Sequence, residues 1–370
     1  MTPLAKRLAA RIAASGPITV AEFMAACLSD PEHGVYGAGD PLGARGHFTT
    51  APEISQMFGE LLGLALAQSW LDRGGPAPVT LAELGPGRGT LMADALRATR
   101  AVPGLAEALR VHLVETSAPL RGRQAEALAG PSPLWWHESV GTLPEEAPLL
   151  LIANEFFDAL PIRQFQRSGV AWRERLVRLD DEGRLAFALG APCLPEPLAP
   201  RLADTREGDI VELCPAAEAI MGEIARRIAA RGGVALIIDY GGWHSLGDTL
   251  QALSRHRRVD PLAAPGEADL TAHVDFEALA RAARAPAGTA IAVSELTPQG
   301  VFLERLGITA RAQALARALA GPALEAHVAA HRRLTHPQEM GSLFKVLGLW
   351  RHGDPPPPGL SPMPQEASTE

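Results

Sequence analysis

The sequence has no run approaching the roughly 18–20 uninterrupted apolar residues that a membrane span needs. Its nearest stretch, Leu149–Ala153, is short and reads as a buried strand. Three cysteines, Cys27, Cys193 and Cys214, are too few and too scattered for a disulfide framework and lack zinc-site spacing. A reducing compartment fits best. Lysine occurs only at Lys6 and Lys345, so nearly all the positive charge is arginine. Acids outnumber bases by 42 to 34, and a net charge of −8 disfavours a broad grip on nucleic acid. No Gly-x-Ser-x-Gly occurs, so a hydrolase reading lacks its nucleophile. No P-loop lysine signature occurs either, which argues against a nucleoside triphosphatase.

What is there is globular. The 370 residues are 47% hydrophobic and 21% charged, which excludes wholesale disorder, and the length suggests two to three domains. Leu4, Leu8 and Ile12 stand at helical spacing in Met1–Ala21. Lys6, Arg7 and Arg11, with no acid before Glu22, leave a weak transit peptide as the alternative. No secretory signal is read. A long glycine-rich loop, Asp30–Gly46, follows. Thr50 then reads as a cap with Glu53 three residues on, opening a helix whose apolar face is Phe58, Leu61, Leu62, Ala65 and Leu66.

From Val79 short apolar runs alternate with helices. Thr80–Leu84, Val111–Glu115, Leu149–Asn154 and Val234–Asp239 read as strands; Thr90–Arg100, Pro119–Leu128 and Ala216–Ala230 read as helices. Such alternation predicts an α/β fold with a mostly parallel sheet covered on both faces. Arg163–Ala188 partly alternates with period two and has turn signals at Ser168–Gly169 and Asp181–Gly183, an inserted antiparallel meander. Thr309–Arg333 is Ala-rich and helical, Phe344–Leu349 is a late strand, and the Pro-rich stretch from His352 reads as a disordered tail.

The sharpest signal is TLAELGPGRGTL, Thr80–Leu91. A strand ends at Glu83–Leu84, Gly85-Pro86-Gly87-Arg88-Gly89 makes the turn, and a helix begins at Thr90. Glycines let a ligand approach the backbone, and the helix N-terminus offers unpaired N–H donors. The spacing is G-x-G-x-G rather than the dinucleotide G-x-G-x-x-G, with Glu83 just ahead. This E-x-G-x-G-x-G pattern resembles motif I of class I S-adenosylmethionine methyltransferases. Glu115, 26 residues past Gly89, closes the next strand and suits the two hydroxyls of an adenosine ribose. After the third strand Glu138 is the candidate for the adenine amino group, and Trp135 or Trp136 for stacking on the ring. Two adjacent tryptophans also suit core packing plus one exposed ring.

The second strong feature is LLLIANEFFDALP, Leu149–Pro161, where a buried strand runs into Asn154, Glu155 and Asp158. Methyl transfer is an in-line displacement in which the protein supplies position and charge. Carboxylates can hold an arginine guanidinium bidentately, which suits Glu155 and Asp158. The alternative has Asp158 capping a helix and Glu155 as a solvated strand end.

The whole chain resembles the MidA-like methyltransferase family, which includes a mitochondrial assembly factor for respiratory complex I. The blocks that carry the resemblance are HFTTAPEISQMFGE (His47–Glu60), AELGPGRGTL (Ala82–Leu91), HLVE (His112–Glu115), ANEFFDALP (Ala153–Pro161), IIDYG (Ile237–Gly241), APGEADLTAHVDF (Ala264–Phe276) and MGSLFKVL (Met340–Leu347). The resemblance implies a class I, Rossmann-like methyltransferase core using S-adenosylmethionine. It implies an N-terminal helical lid over 1–79 and a methyltransferase domain over 80–350 with insertions near 163–215 and 305–335; residues 351–370 are the tail. It suggests Gly85, Gly87 and Glu115 for the cofactor, to which the reading of the residues adds Glu83, Pro86, Gly89, Glu138 and Asn154. Thr49, Thr50 and Glu53 would form a lid segment. The acceptor would be a protein arginine, on a complex I subunit for the mitochondrial members. The double-glutamate hairpin of common arginine methyltransferases is missing, so Glu155 and Asp158, with Glu53, would have to substitute. Abundant Ala, Gly, Pro and Arg fit a GC-rich bacterial genome, hence a cytoplasmic location, or the mitochondrial matrix in a eukaryote.

Tyr240, at a strand end, either orients a substrate or packs; His273 either lines the acceptor channel or sits in a loop. His327 and His331 stand at i, i+4, but no third ligand is evident, and no metal is expected. No nucleic acid and no stable membrane insertion are expected. The rival readings are a non-catalytic assembly chaperone that keeps S-adenosylmethionine as a structural ligand, and an NAD-type oxidoreductase.

Overall fold

The computed structural model describes residues 1–38, 50–130, 133–287 and 290–364. The helices used below are α1 (Pro3–Ser15), α2 (Val20–Ser29), α3 (Ala51–Ile54), α4 (Gln56–Leu71), α5 (Thr90–Thr99), α6 (Ala118–Ala127), α7 (Pro215–Arg231), α8 (Ile308–Ala316) and α9 (Gly321–Thr335). The strands are β1 (Val79–Leu84), β2 (Leu109–Val114), β3 (Leu134–His137), β4 (Leu149–Asn154), β5 (Arg163–Ser168), β6 (Ala171–Leu179) and β7 (Leu185–Cys193). They continue with β8 (Ile210–Leu213), β9 (Gly233–Gly242), β10 (Gln251–Ser254), β11 (Arg257–Val259), β12 (Asp269–Thr271), β13 (Ile291–Val293) and β14 (Phe344–Arg351).

The chain forms two compact units, and neither is one continuous stretch. One comprises Met1–Phe48, Asp158–Ala217 and Gly242–Asp275; the other comprises Thr49–Phe157, Glu218–Gly241 and Phe276–Glu370. This division departs from the expected boundary at residue 79. The first two helices share a core with β6 and β12, through Leu4, Leu8, Ile12, Phe23, Val177 and Leu270, whereas α3 and α4 belong to the other unit.

The second unit is built on a sheet with the order β13-β14-β9-β4-β1-β2-β3. The steps from β9 through β4, β1 and β2 to β3 are parallel; β14 is antiparallel to β9. Every residue of β1 and β4 is buried, as strands covered on both faces must be. The chain places β2 and β3 to one side of β1 and β4 to the other. The strand order therefore reverses between β1 and β4, which opens a crevice beyond their carboxyl ends. This is the mostly parallel α/β core expected from the alternation of strands and helices.

Helix α4 lies close against α5 because two of its residues have no side chain. A Cβ on Gly63 would stand 2.6 Å from the Ala95 Cα, and one on Gly59 would stand 2.8 Å from the Asp94 Cβ. Glu60, buried on the same helix, is held by Arg97 and Arg311 at 2.7 and 2.8 Å. The expected single helix from Pro52 is broken: α3 ends at Ile54, and Ser55 caps α4 by accepting from the Met57 N–H at 3.2 Å.

In the first unit the expected meander is present as β5, β6 and β7. It lies in a sheet of order Ile18–Thr19, β6, β5, β8, with β7 paired to β6. A smaller sheet runs β11-β10-β12. The expected disorder from His352 does not extend over the described part of that segment. Leu360 is buried, the Met363 N–H donates to Val293 O, and Arg305 Nη1 donates to Gly359 O. Proline-rich composition removes backbone donors, yet here the chain still closes over Phe302.

Candidate active site

The crevice edge begins with the glycine turn between β1 and α5. Gly85, Gly87 and Gly89 have φ of +60, +53 and +83°, the left-handed region that side chains resist. Gly85 N–H donates to Val114 O at 3.0 Å and Gly89 N–H to Pro86 O at 2.8 Å, so Pro86, itself buried, serves the turn. Gly89 is the N-cap of α5 and supplies no side chain to cap it, which leaves that helix end open to an outside acceptor.

Glu115 stands just past β2. Its Oε1 accepts from the Ser117 N–H at 2.8 Å and its Oε2 from Gln124 Nε2 at 3.3 Å. Burial pushes its carboxyl up, against the hydrogen bonds from Ser117 and Gln124. Gln124 on α6, fully buried, also donates to Gly87 O at 2.8 Å and accepts from Trp136 Nε1 at 2.8 Å. One amide thus joins the glycine turn, the β2 carboxylate and the inner tryptophan. Trp135, 39% exposed, stacks on His112 with centroids 4.9 Å apart. Burial pushes His112 down to about 4, and its Nδ1 lies 2.9 Å from His137 Nε2. Glu138 is exposed beyond β3.

At the β4 end, Asn154 and Glu155 follow the buried run. Glu155 has φ +51°, a strained backbone for a non-glycine residue, and strain of this kind collects at functional sites. Its N–H donates to Ile238 O at 2.9 Å, and its Oε1 accepts from Ala51 N–H at 3.0 Å and Asn154 Nδ2 at 3.2 Å. Glu53 Oε1 accepts from the Thr90 hydroxyl at 2.5 Å, and Oε2 lies 3.5 Å from Arg88 Nη1. Helix α3 is therefore fastened at its start by Glu155 and along its length to the first residue of α5. The expected capping box of Thr50 and Glu53 does not form, because Glu53 is engaged by Thr90 and the Thr50 side chain makes no cap bond. The capping box that does form is Thr19 with Glu22, before α2. Thr49 lies outside the described residues.

Among the described residues two buried acceptors here have no donor: Glu83 Oε2 and Asn154 Oδ1. They belong to neighbouring strands, Glu83 standing opposite Ile152. Burial raises the Glu83 carboxyl to about 8. Because its folded-state value lies above the ordinary carboxylate one, Glu83 adds most stability below about pH 4.5, and that contribution fades as pH climbs to about 8. Without cofactor, the melting temperature of Glu83→Gln relative to wild type should therefore rise between pH 5 and 8 and level off above. Thermal melts at a series of pH values check this, and a flat difference would remove the buried-acid assignment.

With this geometry in view, residues 61–294 match the model of a family described as "Putative S-adenosyl-L-methionine-dependent methyltransferase". The chain is 38% identical over 95% of its length to a mouse protein, covering 85% of it, named "Protein arginine methyltransferase NDUFAF7, mitochondrial". The chain belongs to this methyltransferase family. The zebrafish protein of the same name is 39% identical, with 93% of this chain and 86% of that one covered. A Burkholderia thailandensis protein solved with bound S-adenosyl-homocysteine superposes with a TM-score of 0.80 at 31% identity, covering 96% of this chain and 93% of that one.

The chain accordingly has a class I methyltransferase core, the cofactor is S-adenosylmethionine, and the oxidoreductase reading falls away. The residues present fit that cofactor. The two orphaned acceptors suit an ammonium, the open end of α5 suits a carboxylate, and Glu115 keeps lone pairs for hydroxyl donors. When bound, the sulfonium supplies an activated methyl group. Removing the carboxylate in Glu115→Ala should weaken S-adenosyl-homocysteine by about 1–3 kcal/mol. Calorimetry reads this directly, and unchanged affinity would move the ribose contact elsewhere.

The remaining sequence candidates are distributed. Tyr240 is 8% exposed and packs edge-on against Phe344 at 5.4 Å, the packing alternative. Its neighbour Asp239, fully buried, accepts from the N–H groups of Phe157 and Tyr240 and so ties β9 to the chain after β4. Asp158 and His273 lie in the first unit. Asp158 is buried, and its carbonyl accepts from Ala272 N–H at 2.9 Å. His273 is exposed, and its N–H donates to Thr249 Oγ1 at 2.8 Å. His327 and His331 meet Ala312 O and Thr309 Oγ1 across α8 and α9, a packing role. Gln124 was not singled out from the sequence; a buried glutamine in an otherwise hydrophilic helix carries no spacing signal.

Proposed function

We propose that the chain methylates an arginine side chain of a protein, a subunit of respiratory complex I, and thereby supports assembly of that complex. Support comes from relatives named protein arginine methyltransferases that align over 95% and 93% of this chain. The observation that carries the chemistry is Glu155, which follows β4 in a strained backbone and fastens the start of α3 through Ala51 N–H, with Glu53 two residues further along that helix. A guanidinium is always protonated and offers N–H donors in a planar fork. Ionised carboxylates hold that fork, align one nitrogen with the methyl group, and take the proton the nitrogen loses on methylation. Asp158 is the third carboxylate of the proposal, three residues after Glu155.

The compartment would be the one holding the matrix-side or cytoplasmic subunits of complex I. No described helix is long and apolar enough to cross a membrane. The test is methyl-labelled S-adenosylmethionine with purified complex I subunits, followed by mass spectrometry of the labelled peptides. Methylarginine on a subunit is the expected result. Label on another residue type would overturn the acceptor, and absence of label would leave a cofactor-binding assembly chaperone.

A further inference from the structure

Strands β10 and β11 form a hairpin in the first unit, with Ser254 opposite Arg257, so its turn is only Arg255 and His256. Both have left-handed backbones, with φ of +50 and +63°. Turns of this kind are normally made by Asn and Gly, since larger side chains are strained there. Here two bulky basic residues occupy the turn, and Arg257 and Arg258 follow at once. All four are exposed, and among the described residues none of their side chains makes a hydrogen bond or an ion pair. By contrast Arg7, Arg97, Arg163, Arg226 and Arg311 each face a carboxylate. The cluster stands out further in a chain of net charge −8.

Among the described residues strand β11 is also the edge of its sheet, paired on one side only, by β10. Keeping an edge from pairing with a neighbour needs little more than a charged side chain. A run of four basic residues on a strained turn exceeds that need. We propose that this hairpin is a docking arm for an acidic, extended segment of the protein substrate. Its arginines take carboxylates as bidentate forks, and the open edge of β11 takes backbone groups. The proposal rests on the reading of the chain as a protein methyltransferase. Nucleic acid is disfavoured by the overall charge and by the absence of Phe, Tyr or Trp in residues 251–260 for base stacking. A lipid surface is disfavoured because the tip carries no apolar side chain to insert.

The test uses the full chain and a fluorescein-labelled peptide of about ten glutamates, with poly-uridine RNA and phosphatidylserine vesicles in parallel. Arg255→Glu/Arg257→Glu/Arg258→Glu should weaken the peptide by about tenfold or more. The charge-matched Arg100→Glu/Arg317→Glu/Arg333→Glu, at exposed sites elsewhere, should weaken it by less than about twofold. Unchanged S-adenosyl-homocysteine binding verifies that both variants are folded. Equal loss in the two variants, no peptide binding by wild type, or a stronger hairpin dependence for RNA or vesicles would overturn the docking arm. Hairpin-dependent peptide binding by a protein that transfers no methyl group would keep the arm and sink only the methylation reading.

Discussion

Valine at position 87 is expected to weaken cofactor binding severely while leaving the fold standing. Gly87 has φ +53°, where a β-branched residue is strained by about 1–3 kcal/mol. The turn cannot relax freely, because Gln124 holds the Gly87 carbonyl and is itself held by Trp136. Affinity for S-adenosyl-homocysteine should drop about a hundredfold or more, near 3 kcal/mol. Calorimetry measures the loss, and circular dichroism confirms the fold. Binding as tight as in the parent would show that the cofactor does not use this turn.

Glu155→Gln should leave cofactor binding intact and lower turnover by about a hundredfold to a thousandfold, the scale for losing an electrostatic partner of the reacting group. Glutamine keeps the shape and an oxygen able to accept from Ala51 N–H, so α3 stays fastened. What is lost is the negative charge that, in the proposed function, holds the guanidinium and receives its proton. Single-turnover rates at saturating substrate separate this from a binding defect. A normal rate would assign the chemistry to other groups.

The core of the catalytic unit was legible because its signals are local. The run Leu149–Asn154 is bounded by Pro148 and by polar residues, and the strand occupies those residues. Glycine spacing between an apolar strand and a helix defines the turn at Gly85–Gly89, and the meander turns where Gly169 and Gly183 allow positive φ. Features set by distant partners were not legible. Apolar residues keep helical spacing across Ser55, so nothing in the pattern announces the break between α3 and α4. Glu53 has the spacing of a capping residue, and only the fold brings Thr90 to compete for it. The division into two units depends on contacts between residues some 250 apart, such as the Thr2 hydroxyl bond to Pro265 O. The segment after His352 has the composition of a loose tail, and what orders it is the backbone of β13.

Because the first unit takes its chain from three separate stretches, its assembly must lag behind synthesis. Helices α1 and α2 leave the ribosome well before their partners, with Leu4, Leu8 and Phe23 needing Val177 and Leu270 to cover them. At about 5–20 residues per second, those partners follow after a delay on the order of tens of seconds. Over that interval the amino-terminal helices are an uncovered apolar surface, a natural target for a chaperone, and neither unit can be cut out as a single uninterrupted fragment.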